Sequence, residues 1–279
     1  LSFYQNKDEK AFFDEIKFNH NAKTVNLTNG MLHTPSGILK PHKRTYFSSI
    51  QIPYPYEKGS ECPKFDRFIK QMTSSREATD RLLMETQLGE MIGYCMTTDI
   101  SIGRAIILYG PPSTGKSVFN NILPALVGVK NISKVQIQVL GENGKKGAAS
   151  SANKILNSYP DIGDDAMKSI GTVNDMITEP YLNYEAKYFP DAITRNITKH
   201  LYMCNDLPIV YDISDAWGKR WVLWKCDHII YDKETFMEKK RLNQVPSNMK
   251  WEGDLGIWNE YIGEYEKKQK NWEFKNIIN

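Results

Sequence analysis

The chain has 279 residues, enough for one large or two small domains, and a hydrophobic fraction of 41% that supports a packed core. No stretch approaches the uninterrupted apolar span of a membrane helix, and the opening LSFYQNKDEKAFF lacks the basic-then-apolar layout of a secretory signal. The net charge of +3 neither requires nor excludes nucleic acid, because a ring can gather basic groups in its channel while its outer face stays mixed.

Cys62, Cys95, Cys204 and Cys226 lie far apart and none sits in a C-x-x-C pair. Neither a zinc site nor a disulfide framework is indicated, and a reducing, cytoplasmic setting is the simplest expectation. A chain that opens on Leu1 is expected to be a piece of a longer protein.

The first residues read as a helix carrying Phe12, Phe13, Ile16 and Phe18. VNLTNGMLHTPSGILKPH then breaks short apolar runs at Asn29-Gly30 and Pro35-Ser36-Gly37, the chemistry of tight turns between strands. From Pro63 the pattern turns helical, in PKFDRFIKQM and in REATDRLLMETQLGEMIGYCMTT. RAIILYG is a buried-strand run that leads through a glycine-rich turn into the helix-like SVFNNILPALVG. VQIQVL, KILNSYPDI and HLYMCN follow as candidate strands between polar segments, and GENGKKGAASSANK reads as a mobile surface loop. This alternation predicts an α/β fold with helices on the faces of a sheet. The charged, aromatic tail from about Asp232, with Trp251, Trp258 and Trp272, looks mainly helical. The expected organisation is an accessory region over residues 1–100, a core over 101–232 and a helical tail over 233–279.

The sharpest signal is Gly110-Pro111-Pro112-Ser113-Thr114-Gly115-Lys116-Ser117, a full match to G-x-x-x-x-G-K-[ST], followed by Val118. Glycines let the backbone curl so that successive amides face phosphate oxygens, and the next helix adds its positive end. Lys116 is placed to reach the β- and γ-phosphates of ATP, and the Ser117 hydroxyl to ligate Mg²⁺. Downstream, Asp161 stands at the end of a strand run, where a second carboxylate could hold the metal and polarise water. The alternative is that Asp161, Asp164 and Asp165 cap the next helix. Asn205 closes HLYMCN, suited to orient water against the γ-phosphate or simply to make a turn. Lys219-Arg220 precede a further strand run, and Arg220 could neutralise a transferring phosphoryl group or belong to an ordinary basic surface pair.

Taken in order, these segments resemble the superfamily 3 helicases, in particular the phage/plasmid primase–helicase family that includes the poxvirus primase–helicase. NLTNGMLHTPSGILKPHKRTYFSSIQIPYPYEKGSECPKFDRFI is similar to that family's segment ahead of the helicase core. GPPSTGKS resembles its Walker A, KILNSYPDIGDDA its Walker B region, CNDLP its sensor 1 and DISDAWGKRW its arginine-finger region. Family members often carry two arginines where this chain has Lys219-Arg220. The resemblance implies an AAA+-like P-loop core around a parallel sheet, a ring of usually six subunits and ATP hydrolysis at subunit boundaries. It also implies movement on single-stranded or forked DNA and an upstream primase or primase–polymerase in the same polypeptide. PYLNYEAKYFPDAITRNITKHL resembles the hairpin that family members push into the ring channel, with Lys187 and Tyr188 as a phosphate contact and a stacking face. Two other classes carry the same loop. A small-molecule kinase should close an arginine-rich lid over its substrates, and no such segment follows the loop. A ring-forming initiator that binds ATP without unwinding shares every motif named.

Overall fold

The computed structural model describes residues 18–74, 77–142, 144–162, 170–184, 192–208, 215–231 and 233–244. The predicted N-terminal helix with Phe12, Phe13 and Ile16, and most of the predicted C-terminal tail, lie outside these residues.

The turn-rich segment after Lys23 forms a three-stranded antiparallel sheet of β1 (Thr24–Leu27), β2 (Gly30–His33) and β3 (Ile38–Lys40). The pairing Leu27↔Gly30 leaves Thr28 and Asn29 as a two-residue loop. Helix α1 (Pro63–Met72) starts with proline in its first turn, where the missing N–H costs nothing, and buries Phe68, Ile69 and Met72. Helix α2 (Ala78–Met96) follows.

The rest is built on a five-stranded sheet. In chain order its elements are β4 (Ala105–Tyr109), α3 (Lys116–Val127), β5 (Ile132–Ser133), α4 (Ile137–Glu142), α5 (Gly144–Ser151) and β6 (Leu156–Tyr159). Helix α6 (Ile170–Thr178) precedes a separate antiparallel pair, β7 (Tyr181–Tyr184) and β8 (Ala192–Arg195). The chain then returns through β9 (Lys199–Cys204), α7 (Asp215–Arg220) and β10 (Trp221–Lys225), and α8 (Lys233–Arg241) closes the described part. All neighbours in the order β10–β4–β9–β6–β5 run parallel. A sheet of this kind is apolar on both faces. In β4, Ile106 and Leu108 point to one core while Ala105 and Ile107 point to the other. In β9, Leu201 and Met203 divide from Tyr202 and Cys204 in the same way.

The first core also takes Val25 and Leu27 from β1, Phe68 and Met72 from α1, Leu88 and Ile92 from α2, and Phe119 and Leu123 from α3. Helix α3 therefore lies between the sheet and the N-terminal elements. All four cysteines are buried thiols. Among the described residues no helix is long and apolar enough to cross a membrane.

Two expectations fail here. VQIQVL is not a strand: the strand is only Ile132–Ser133, and Ile137 and Leu140 are buried at helical spacing on α4. The Val135 N–H and C=O are taken by the Asn157 side chain, at 2.8 and 2.9 Å, so the chain leaves the sheet before the ladder can extend. GENGKKGAASSANK is not a loop, since Gly144–Ser151 within it is helix α5. Its small residues permit close packing, and a Cβ on Gly147 would stand 2.5 Å from Leu140 Cδ2.

Candidate functional site

Between β4 and α3 the backbone makes a tight loop over residues 110–115 whose shape depends on its glycines. Gly110 (φ +139°) lies so close to the Cys226 carbonyl that any Cβ would overlap its oxygen. Gly115 (φ +88°) turns the chain into α3, and a Cβ there would meet Met72 Cγ at 3.0 Å and Phe68 Cε2 at 3.1 Å, so α1 braces the loop from behind. Ser113 adopts left-handed φ (+62°) without being glycine, and its carbonyl accepts the Ile230 N–H at 2.7 Å. Gly110 N–H donates to the Asn205 carbonyl at 3.0 Å and Cys226 N–H to that of Tyr109 at 2.7 Å. Neighbouring strand ends thus hold the loop from both sides.

Lys116 curls back into this loop. Its Nζ donates to the Gly110 and Pro111 carbonyls at 2.6 and 2.7 Å and to Thr114 Oγ1 at 3.3 Å. Burial lowers its pKa, and the nearby Cys226 and Cys204 thiols push it back up. An ammonium caged by neutral carbonyls carries uncompensated charge into the loop, which is where an anion gains most.

A cleft of about 610 Å³ opens over the loop. Parallel strands put all their carboxyl ends at one edge, and β9 lies between β4 and β6 in register Tyr109↔Cys204 and Tyr159↔Tyr202. Asn205 and the Pro160-Asp161 pair therefore emerge beside residues 112–118, and all of them line the cleft. The structure brings Pro112, Ser113, Thr114, Gly115, Lys116, Ser117, Val118, Asp161 and Asn205 together. Gly110 and Pro111 supply the carbonyls that hold Lys116. Asp164 and Asp165 lie outside the described residues. Among the described residues no group of three or more His, Cys, Asp or Glu could hold a metal.

The polar residues that interrupt β6 have structural partners. Asn157 Oδ1 accepts from Ser133 Oγ (2.9 Å) as well as from Val135 N–H, and its Nδ2 also donates to Tyr202 Oη (3.1 Å). Ser158 Oγ bonds Asn120 Oδ1 on α3. These bonds tie β6 to β5, β9 and α3, and so fix where Asp161 leaves the sheet.

Arg220 is not in this cleft. It ends α7, and the next residue, Trp221, pairs with Ala105 at the start of β4. The length of β4, roughly 16 Å at about 3.3 Å per residue, separates it from the loop. The hairpin is present in its stems, paired from Tyr181↔Arg195 to Tyr184↔Ala192, with Arg195 Nη1 bonded to His20 Nδ1. Lys187 and Tyr188 lie outside the described residues. Sequence reasoning missed Ile230 as a wall of the cleft and Phe68 and Met72 as braces of the loop. Each reaches the site through a long-range contact that no local pattern carries.

A family model described as "D5 N terminal like" matches residues 10–74, and one described as a family of unknown function (DUF5906) matches residues 108–220. No curated protein matches the chain. Among solved structures, the A form apo structure of the NrS-1 C-terminal region is similar over 80% of this chain, at 15% identity and a TM-score of 0.55. A second apo structure of that region covers 75% at 15% identity with a TM-score of 0.47. The chain spans about half the length of these structures, 47% and 53%. It therefore shares the fold of the NrS-1 C-terminal region over most of its length, and its residues 10–74, ahead of the five-stranded sheet, are similar to the D5 N terminal like family.

Proposed function

We propose that the chain is the ATP-driven motor of a replicative DNA helicase. It would work as a ring, usually of six subunits, on single-stranded or forked DNA, as the C-terminal part of a primase–helicase. The observation that carries this reading is the convergence of Lys116, Ser117, Asp161 and Asn205 on one cleft at the carboxyl edge of the sheet. In an AAA+-like P-loop core, Lys116 would leave its carbonyl cage for the β- and γ-phosphates of ATP. Ser117 and Asp161 would hold Mg²⁺, which neutralises charge on the phosphates, and Asn205 would orient the attacking water. Arg220, at the opposite edge, would serve a neighbouring subunit. The D5 N terminal like match supports the reading too, because it falls on the stretch whose resemblance lies ahead of a helicase core. The hairpin, with Lys187 and Tyr188 towards its tip, would grip DNA.

The test is Lys116→Ala. It should remain folded by circular dichroism yet lose at least about a hundredfold in ATP turnover, since a cation positioned on the transferring phosphate is removed. A folded variant with parental turnover would sink the proposal. An initiator that assembles on ATP without unwinding is separated by a forked-duplex assay, in which the helicase reading requires strand displacement.

A further inference from the structure

We infer that Ile230 is the shelf on which the base of the bound nucleotide rests, a deepening that depends on the nucleoside triphosphate reading of the cleft. The topology sets the direction in which a nucleotide must lie. Strand β4 has β9 and β6 on one side and β10 on the other. Asp161 and Asn205, which would act at the terminal phosphate, come from the β6 and β9 side. Ile230 reaches the same cleft from the opposite side, five residues beyond Lys225 at the end of β10. A triphosphate laid along residues 113–117 with its terminal group towards Asp161 carries its nucleoside across the loop to Ile230.

The chemistry of the two ends agrees. One end offers a carboxylate, an amide and the Ser117 hydroxyl, and the other offers the aliphatic chain of Ile230. An aliphatic wall suits the face of a planar base and offers nothing to a phosphate. The shelf is also preset. Ile230 is buried in the core shared with α1 and α3, and its N–H is bonded to the Ser113 carbonyl at 2.7 Å. The Cys226 carbonyl packs against Gly110 at the other end of the segment. Loop and shelf are therefore clipped together at two points, so binding the base orders little that was free.

Calorimetric titration of the full chain with Mg-ADP and with Mg-tripolyphosphate, which has no base, tests the inference on Ile230→Ala and the milder Ile230→Val. Affinity for ADP should fall on the order of tenfold in Ile230→Ala, less in Ile230→Val, as expected when methylenes leave an apolar pocket. Affinity for tripolyphosphate should stay within about twofold of the parent. Parental ADP affinity in both variants would overturn the inference. So would an equal loss for both ligands, which would make Ile230 a prop for the loop. If the parent binds neither ligand and Lys116→Ala changes nothing, the nucleotide reading itself fails and takes the shelf with it. Binding of tripolyphosphate with unchanged ADP affinity in the variants removes the shelf alone.

Discussion

Two adjacent buried groups, Lys199 and His200, give the fold a defined response to pH. Lys199 opens β9, and its ammonium donates to the Thr97 carbonyl and, at 3.0 Å, to that of Ile197, with the Tyr94 ring 5.5 Å away. Burial nevertheless outweighs the help of Cys95 and Asp99 and lowers its pKa to about 7. Between pH 7 and the ordinary lysine range the unfolded chain binds more protons, so stability rises with pH, by at most about 1.4 kcal/mol per unit. The window is best read from pH 7 to about 8.5, because Cys95, raised to about 12 by burial, opposes the trend once unfolded thiols ionise. Urea unfolding of the parent should show a positive slope there, and Lys199→Met should flatten it. An unchanged slope in the variant would place the effect elsewhere. His200, lowered to about 4 by burial, stays neutral in the fold, so stability should fall as pH drops below about 6.5, where the unfolded imidazole takes up its proton. Neither group was legible in the sequence, where Lys199-His200 looks like an ordinary polar start to a strand. GPPSTGKS was legible because the geometry it needs is local. Asn157, which looked like a weakness in its strand, is a bracket whose partners lie 22 to 45 residues away.

Among elements, those with a strong single period were read correctly, including α1, α2, β4, α3 and β9. The failures came where two periods compete. VQIQVL alternates as a strand does, yet its glutamines are used, Gln136 by Tyr159 Oη at 2.7 Å and Gln138 by the Ile162 carbonyl, while Ile137 and Leu140 pack as a helix. The glycine- and serine-rich stretch that follows had the composition of a loop, but small residues are also what lets α5 approach α4. Helix α5 lies against β7 as well, and Thr198 Oγ1 donates to the Ser151 and Lys154 carbonyls at 3.1 and 2.7 Å, so the stems of the hairpin stand on it. Gly147→Val should cost about 1–3 kcal/mol of stability in a denaturant titration, because the added carbons overlap Leu140. A neutral result would mean that the helix pair is loosely packed. In that case a rigid footing for the hairpin would be lost with it.

At the scale of the whole molecule, the distance between Arg220 and the cleft bears on the proposed ring. A guanidinium at one edge of a parallel sheet cannot reach phosphates at the other, so within one subunit Arg220 is no part of the site. In a head-to-tail ring every subunit presents one edge to its neighbour's other edge, and each Arg220 can then neutralise charge in the next cleft. The separation itself follows from the register Trp221↔Ala105, which no spacing in the sequence encodes, although the resemblance already implied hydrolysis at subunit boundaries. Arg220→Ala and Lys116→Ala should each be nearly inactive in ATP turnover. When the two are mixed and allowed to exchange, an Arg220→Ala subunit keeps its own Lys116 and can receive Arg220 from a Lys116→Ala neighbour. Random 1:1 mixing completes roughly a quarter of the interfaces, so turnover should recover to a comparable fraction of the parent if each interface fires independently. A lower recovery that still exceeds both variants would mean that sites must fire in succession around the ring, and it would leave action across the boundary intact. Turnover no higher than in the separate variants, in rings shown by mass to exchange subunits, would mean that Arg220 serves no neighbouring site.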